Sequence, residues 1–357
     1  MQTEIGSDFC QLDLKNEKNI FWWEATEYFY NYYKSGRNAI KALCQCLDRT
    51  NKTILLPVYT CESVIIPFIE ENWKVFFYNI RLNLQIDMDS LLKMYNEVNP
   101  DVVLFQGYFG FDTTKASIDV LKNLSDCGCI LVEDITSNFL SNNMTDFADF
   151  YISSFRKYFA IPDGGILVSR KEMPELDVEE AVERVVEDAL LAYAAKQAYF
   201  EKPSEEKKSE FKKLYKVFYN EVEVNDKLYR MNLMSKEILE KIDIRKIKTK
   251  RQNNYNYLLY ELQKYHDITP VLGECTSDVT PLFIPIYYNG KRERLQAYLA
   301  YNNIYCPVIW PKPSQIIVED DMTRSLYEKM LCIPIDQRYG VDEMKEIIRV
   351  MNLFDVL

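Results

Sequence analysis

The sequence predicts an α/β protein built on a mostly parallel sheet, followed by a smaller α+β unit. Two observations carry this. From about residue 35 to 170, short apolar runs alternate with amphipathic stretches at helical spacing, the pattern of strands joined by covering helices. Beyond residue 235 a long charged helical stretch gives way to two apolar runs, each holding Pro, and a closing amphipathic segment. With 357 residues there is room for both units and a substantial core. The expected division is a large domain over 1–235, with a helical insert at about 174–222, and a small C-terminal domain over 236–357.

In chain order, TILLPVYT (53–60), KVFFYNI (74–80), DVVLFQG (101–107), CILVED (129–134), FYISSF (150–155) and GILVSR (165–170) read as strands. Between them NAIKALCQCL (38–47), SVIIPFIEEN (63–72), DSLLKMYNEV (89–98) and TKASIDVLKNLSD (114–126) place apolar residues on one helical face. The stretch 174–222 is charged, Ala-rich at its centre and free of Gly, and predicts two helices broken near Pro203. A further long helix is expected from Ser235 towards Tyr265, with the basic run RKIKTKR (245–251) on its solvated side. PLFIPIYY (281–288), KRERLQAYLAYNN (291–303), LCIPID (331–336) and VDEMKEIIRVMNLF (341–354) complete the small unit.

A net charge of −11 disfavours nucleic acid as a partner, because phosphate neutralisation needs a concentrated basic face. No apolar run reaches membrane-spanning length, and the first residues carry acids without an apolar core, so neither a membrane span nor a secretory leader is expected. Nine Cys, an odd number, fit the reduced thiols of a cytoplasmic protein. Cys44/Cys46 and Cys127/Cys129 are spaced too closely for usual zinc knuckles, and His266 is the single His, so no metal site is expected. The 26 Tyr and 19 Phe are unusually many and predict large buried surfaces, a subunit interface among them.

Three constellations carry chemistry. Ser35-Gly36 precedes a helix whose free N–H groups and dipole suit a phosphate dianion, with Arg37 able to add a charged contact. Glu133-Asp134 closes an apolar strand, and only one of the two neighbours can face a given side. Thr136 and Ser137 follow within reach of the same place. In SSFRKYFAIPDGG (153–165), Ser153 or Ser154 can donate to a phosphate, and Gly164-Gly165 turns the chain into the next strand. Lys157 stands between them. A lysine amine and a carboxylate at strand ends are the two parts pyridoxal phosphate (PLP) chemistry needs: one meets the cofactor's aldehyde, the other keeps its ring nitrogen protonated. Arg156 beside Lys157 would help to lower the amine's pKa.

These segments, with LLPVYTCESV (55–64), VLFQGYFG (103–110), LYRMN (228–232) and IPIDQRY (333–339), resemble the fold type I PLP-dependent sugar aminotransferases, the DegT/StrS family, from about Ser35 to Phe354. The resemblance implies the PLP-transferase fold type I, its large domain holding a mostly parallel seven-stranded sheet. It implies Gly36, Arg37 and Asn38 as the phosphate turn, Asp134 as the partner of the pyridine nitrogen, Ser154 as the phosphate serine and Lys157 as the Schiff-base lysine. It also implies a homodimer with shared active sites, in which Arg230 of Tyr229-Arg230-Met231 reaches the neighbouring subunit's cofactor. The implied reaction moves an amino group from an amino acid such as glutamate to a nucleotide-linked keto sugar, in polysaccharide or secondary-metabolite synthesis.

The chain departs from the family at three points. Cys61 stands where an aromatic usually stacks on the cofactor ring, with Tyr59 or Tyr108 as substitutes; Ser137 stands where His or Gln is common; and 174–222 differs from the usual middle segment. Two alternatives therefore accompany the aminotransferase reading. One is PLP chemistry on an amino acid derivative, such as decarboxylation with Arg338 or Arg324 anchoring a carboxylate. The other is a catalytically silent scaffold.

Overall fold

The computed structural model describes residues 4–10, 14–318 and 320–354. The outer ends of the two expected halves, 1–3 and 355–357, lie outside the described residues, as do 11–13 in the stretch read for a leader. The first part of the chain runs β1 (Phe29–Tyr33), α1 (Gly36–Cys46), β2 (Thr53–Pro57), α2 (Glu62–Glu70), β3 (Lys74–Tyr78), α3 (Met88–Val98), β4 (Val102–Gln106), α4 (Ile118–Asp126), β5 (Ile130–Asp134), β6 (Phe150–Ser154) and β7 (Gly165–Ser169). These strands form one seven-stranded sheet in the order β1-β7-β6-β5-β4-β2-β3. Its five central and outer strands from β6 to β3 pair in parallel, while β7 is antiparallel to both β6 and β1. Leu55, Leu56, Val102, Val103, Leu131 and Val132 are fully buried between the helical layers. Each such side chain stabilises the fold by about 1.5–3 kcal/mol, which is why these runs read as strands from sequence.

The second part runs α5 (Glu183–Glu201), α6 (Glu205–Glu223), α7 (Leu233–Lys241), α8 (Ile244–Leu262), β8 (Ile268–Pro270), β9 (Ile284–Tyr288), α9 (Arg292–Tyr301), α10 (Asp321–Lys329), β10 (Met330–Ile333) and α11 (Val341–Phe354). The three strands form an antiparallel sheet in the order β10-β9-β8, giving the small α+β unit. Among the described residues no helix is long and apolar enough to cross a membrane.

Three expectations need correcting, and one strand stood outside them. The insert is not helical from 174: residues 174–182 form no helix, Glu179 being tied to Leu228 and Arg230 by backbone bonds of 2.9 and 3.0 Å, and the two helices begin at Glu183. The long helix from Ser235 is two helices, because Asp243 accepts the Lys246 N–H at 3.0 Å and caps a new start instead of continuing α7. The basic run 245–251 does not lie wholly on a solvated side, since Arg251 is 1% exposed. Strand β1 went unread: FYNYY carries no apolar run, and its first three residues are exposed at the sheet edge.

Residues 4–10 strap the molecule together. Ile5 bridges Ile304, and the Gly6 N–H donates to the Tyr339 hydroxyl at 2.7 Å, both in the small unit. On the other side Lys196 of α5, fully buried, donates to Ser7 Oγ and the Asp8 carbonyl at 2.6 Å and lies 3.5 Å from Glu4. Burial lowers the Lys196 amine to about 8 despite its acidic neighbours.

Candidate active site

The carboxyl ends of β4, β5 and β6 lie side by side, with Gln106 opposite Asp134 and Asp134 opposite Ile152. Parallel α/β sheets hold their ligands at such ends. A cleft partly open to solvent sits there, and its lining includes Gly36, Arg37, Cys61, Asp134, Thr136, Ser137, Ser154 and Lys157. Eight of the eleven site residues singled out from sequence are therefore brought together.

One wall is the start of α1. Ser35 caps it in extended conformation, its Oγ accepting the Asn38 N–H at 3.2 Å. The Gly36 and Arg37 N–H groups precede the first N–H bonded within the helix, that of Ala39 to the Ser35 carbonyl at 3.0 Å, and are left for a ligand. Gly165 makes this approach possible, because a Cβ there would stand 2.3 Å from the Ser35 carbonyl carbon and oxygen. Ser153 lines the same wall, 1% exposed, and its hydroxyl has no hydrogen-bond partner among the described residues. A buried orphan hydroxyl costs about 1–3 kcal/mol until a ligand or water satisfies it. A phosphate oxygen fits all of these donors.

The floor carries the titratable groups. Asp134 faces the cleft while its neighbour Glu133 faces away, bonded to the Thr145 N–H at 2.9 Å and to the Thr145 hydroxyl. Burial raises the Asp134 carboxyl, opposed by the Thr136 N–H that donates to it at 2.8 Å and by the charge of Lys157. A cation brought against Asp134 would relieve that penalty. Lys157 ends a short 3-10 turn after β6 and is exposed to the cleft, with no hydrogen bond or ion pair among the described residues. Enough protein surrounds its amine that lost hydration lowers the pKa; Cys61 opposes this, whereas Arg156 and Arg37 add to it. The Lys157 amine and the Asp134 carboxylate thus line one cleft.

Three residues from the sequence reading fall elsewhere. Asn38 ties α1 to the segment after α6, donating to Asn225 and the Lys227 carbonyl and accepting the Tyr229 N–H at 2.6 Å. Tyr59 lies behind the lining, its hydroxyl bonded to the Ile309 carbonyl and its ring 5.7 Å from Tyr108 and 5.4 Å from Trp310. Arg230 is 61% exposed and 3.9 Å from Glu180, outside the cleft of its own chain. Arg338 is held by Asp336 at 2.7 Å and Arg324 by Asp321 on the surface, so neither reaches the cleft.

Sequence reasoning missed Gln106, Trp310, Val222 and Glu223, which also line the cleft. Gln106 closes a legible strand and could have been found. Trp310 arrives from a loop before α10, and it is the aromatic side chain in the lining. Val222 and Glu223 end α6, so the insert forms part of the wall, and Glu223 lies 3.6 Å from the Arg37 guanidinium. Arg156, also in the lining, lies 5.0 and 5.1 Å from the ring centres of Phe218 and Tyr219 on the same helix.

No protein-family model matches the chain. Over 106 residues, 28% of this chain, it is 30% identical to the serine hydroxymethyltransferase of Methanothermobacter marburgensis. That stretch is 25% of the enzyme, so the chain spans a quarter of the length of the curated relatives it matches. Solved structures resemble it almost throughout. One is Helicobacter pylori PseC, an aminotransferase involved in the biosynthesis of pseudoaminic acid, with a TM-score of 0.67 over 92% of this chain and 87% of that one at 13% identity. Another is a DegT DnrJ EryC1 StrS aminotransferase from Brucella abortus, with a TM-score of 0.62 over 91% and 85% at 13% identity. The chain has the fold of these aminotransferases, the PLP-transferase fold type I expected from its sequence.

Proposed function

We propose, from a chain that has this fold, that it is a PLP-dependent aminotransferase of the DegT/StrS kind, moving an amino group from an amino acid such as glutamate to a nucleotide-linked keto sugar. The observation that carries the reading is one cleft that joins the Lys157 amine, the Asp134 carboxylate and an α1 N-terminus beside the orphan Ser153 hydroxyl. The fit to the cofactor rests on those groups. The Gly36 and Arg37 N–H groups with Ser153 and Ser154 would hold the phosphate, and Asp134 would hold a proton on the ring nitrogen. Pyridoxal phosphate, when bound, supplies an aldehyde for amines and a ring that withdraws electrons.

The chain's own residues do the rest. The lowered pKa of Lys157 leaves a larger share of its Nζ unprotonated near neutral pH, fit to take the substrate's α-proton and return it. Thr136 orients Asp134 through its N–H. Trp310 and Cys61 face the space where ring and substrate must lie. The reading includes a homodimer in which Arg230 reaches the neighbouring copy's cleft, supported by its exposure and by its distance from the cleft of its own chain.

The test is a titration of the purified chain with PLP, followed by addition of glutamate. The expected result is a visible absorbance band that Lys157→Ala abolishes, and that glutamate bleaches with formation of 2-oxoglutarate. Carbon dioxide release without that bleaching would replace transamination by decarboxylation. Amino transfer to simple keto acids but to no nucleotide-linked keto sugar would overturn the sugar part alone.

A further inference from the structure

The turn that carries Lys157 is gripped from the opposite unit. Tyr158, the next residue, is fully buried, and its carbonyl accepts two hydrogen bonds: from Arg251 Nη2 at 3.1 Å and from Gln337 Nε2 at 2.7 Å. The two donors brace one another, since Arg251 Nε donates to Gln337 Oε1 at 2.9 Å. Arg251 Nη1 is fixed in turn by the Pro281 and Leu282 carbonyls at 3.1 and 2.8 Å. The far end of Tyr158 is held as well, its single O–H shared between the Ser137 carbonyl and the Thr280 carbonyl, the latter at 2.9 Å. Arg251 comes from α8, and Gln337 from the loop between β10 and α11.

A buried guanidinium is costly, and among the described residues this one has no direct carboxylate contact: burial lowers its pKa to about 10, with Asp336 opposing from a distance and Arg338 adding. Its guanidinium donates instead to the Pro281, Leu282 and Tyr158 carbonyls and, through Nε, to the Gln337 side chain. Ordinary core packing does not call for such a fork; an apolar side chain would fill the volume without desolvating a charge. What the fork adds is rigidity at the Tyr158 carbonyl, one residue from the working amine.

We propose that Arg251 and Gln337 are positioning residues: by gripping the Tyr158 carbonyl from the C-terminal unit, they hold the Lys157 side chain in its place in the cleft. The inference rests on Lys157 being the working amine, and it deepens that reading by giving the C-terminal unit a hand in the lysine's position. With the grip in place, the amine keeps its set relation to Cys61 on the α2 side, to Arg156 on its own turn, to Arg37 on α1 and to Asp134 on β5. With the grip loosened, the amine moves away from the surrounding protein that limits its hydration and recovers part of it.

Competitive acetylation of the full chain with acetic anhydride, from about pH 6 to 11, reads this without cofactor or substrate. Mass spectrometry compares the Lys157 peptide with that of Lys93, whose side chain is 71% exposed. Arg251→Lys keeps the charge and loses the fork. It is expected to raise the Lys157 titration by about one pH unit, a tenfold loss of free amine at a given lower pH. Gln337→Glu keeps the acceptor for Arg251 and removes the donor to Tyr158, and it is expected to move Lys157 the same way by less. A folded Arg251→Lys variant with an unchanged Lys157 titration overturns the proposal, and if that variant fails to fold, the same result with Gln337→Glu does so. Wild-type Lys157 titrating with Lys93 would sink both this proposal and the reading of Lys157 as a tuned amine, whereas unchanged variants beside a lowered wild type sink the positioning role alone.

Discussion

Gly165→Ala tests whether the wall of the cleft is built by close approach. The added methyl would stand 2.3 Å from the Ser35 carbonyl carbon and oxygen and 2.6 Å from the Gly36 nitrogen, about 1 Å inside ordinary contact. All three neighbours are backbone, so no side chain can swing aside. Gly165 is not in the left-handed region, and alanine therefore introduces no dihedral strain of its own. The strand or the helix start must move by about 1 Å, at a cost of about 1–3 kcal/mol for an overpacked core. The same movement takes the Gly36 N–H away from Ser153 and Ser154, so PLP affinity should fall by about tenfold or more for each 1.4 kcal/mol of lost contact. Visible titration with PLP and a thermal melt measure the two effects. Gly273→Ala is the control, with nothing within 4 Å of the added Cβ, and should change neither. Gly165→Ala with wild-type affinity and wild-type melting would refute the argument that the phosphate wall depends on that approach.

Three further outcomes are expected. Asp134→Asn keeps an acceptor for the Thr136 N–H but cannot hold a ring proton, so the glutamate half-reaction should slow by about a hundredfold or more, and an unchanged single-turnover rate would contradict the assigned role. Glu133 is raised to about 8 by burial, opposed by Thr145. A carboxyl raised on folding contributes stability that is present below its unfolded pKa and lost as pH rises towards 8, by up to about 1.4 kcal/mol per pH unit. Urea midpoints should therefore fall between pH 5 and pH 9 in the wild type and fall less in Glu133→Gln, and equal slopes would exclude the titration. Lys196→Met leaves Glu4 buried beside Lys208 alone and should destabilise by about 3–5 kcal/mol, with faster proteolysis at residues 4–10. A variant as stable as the wild type would show that the strap needs no ion pair.

The sheet was legible because β2, β4 and β5 are buried on both faces and so read as unbroken apolar runs. The edge strand β1 was not, since its first three residues are exposed and FYNYY holds no aliphatic run. In the cleft, Asp134, Ser154 and Lys157 could be found because they stand at or just after strand ends, where sequence order and spatial position coincide. Trp310 and Glu223 could not, being brought in from a loop of the C-terminal part and from the end of α6. Arg251 shows a third case. Its neighbours Lys246, Lys248 and Lys250 make the run look solvated, yet Ile247, Arg251, Tyr255, Leu258 and Leu262 recur at helical spacing and are buried together. Residue type misled there, and periodicity would have corrected it.

The strap at residues 4–10 bears on how the chain is made. Gly6 finds its partner at Tyr339, 333 residues later. At a synthesis rate of about 5–20 residues per second, the segment waits roughly 15–70 s before the small unit exists to receive it. Lys196 emerges well before that, so the α5–α6 hairpin can take hold of the segment first and present it to the C-terminal elements as they arrive. Closing the molecule is then among the last events of its birth, and a chain halted before β10 would hold Gly6 without Tyr339, the last of the strap's partners to be made.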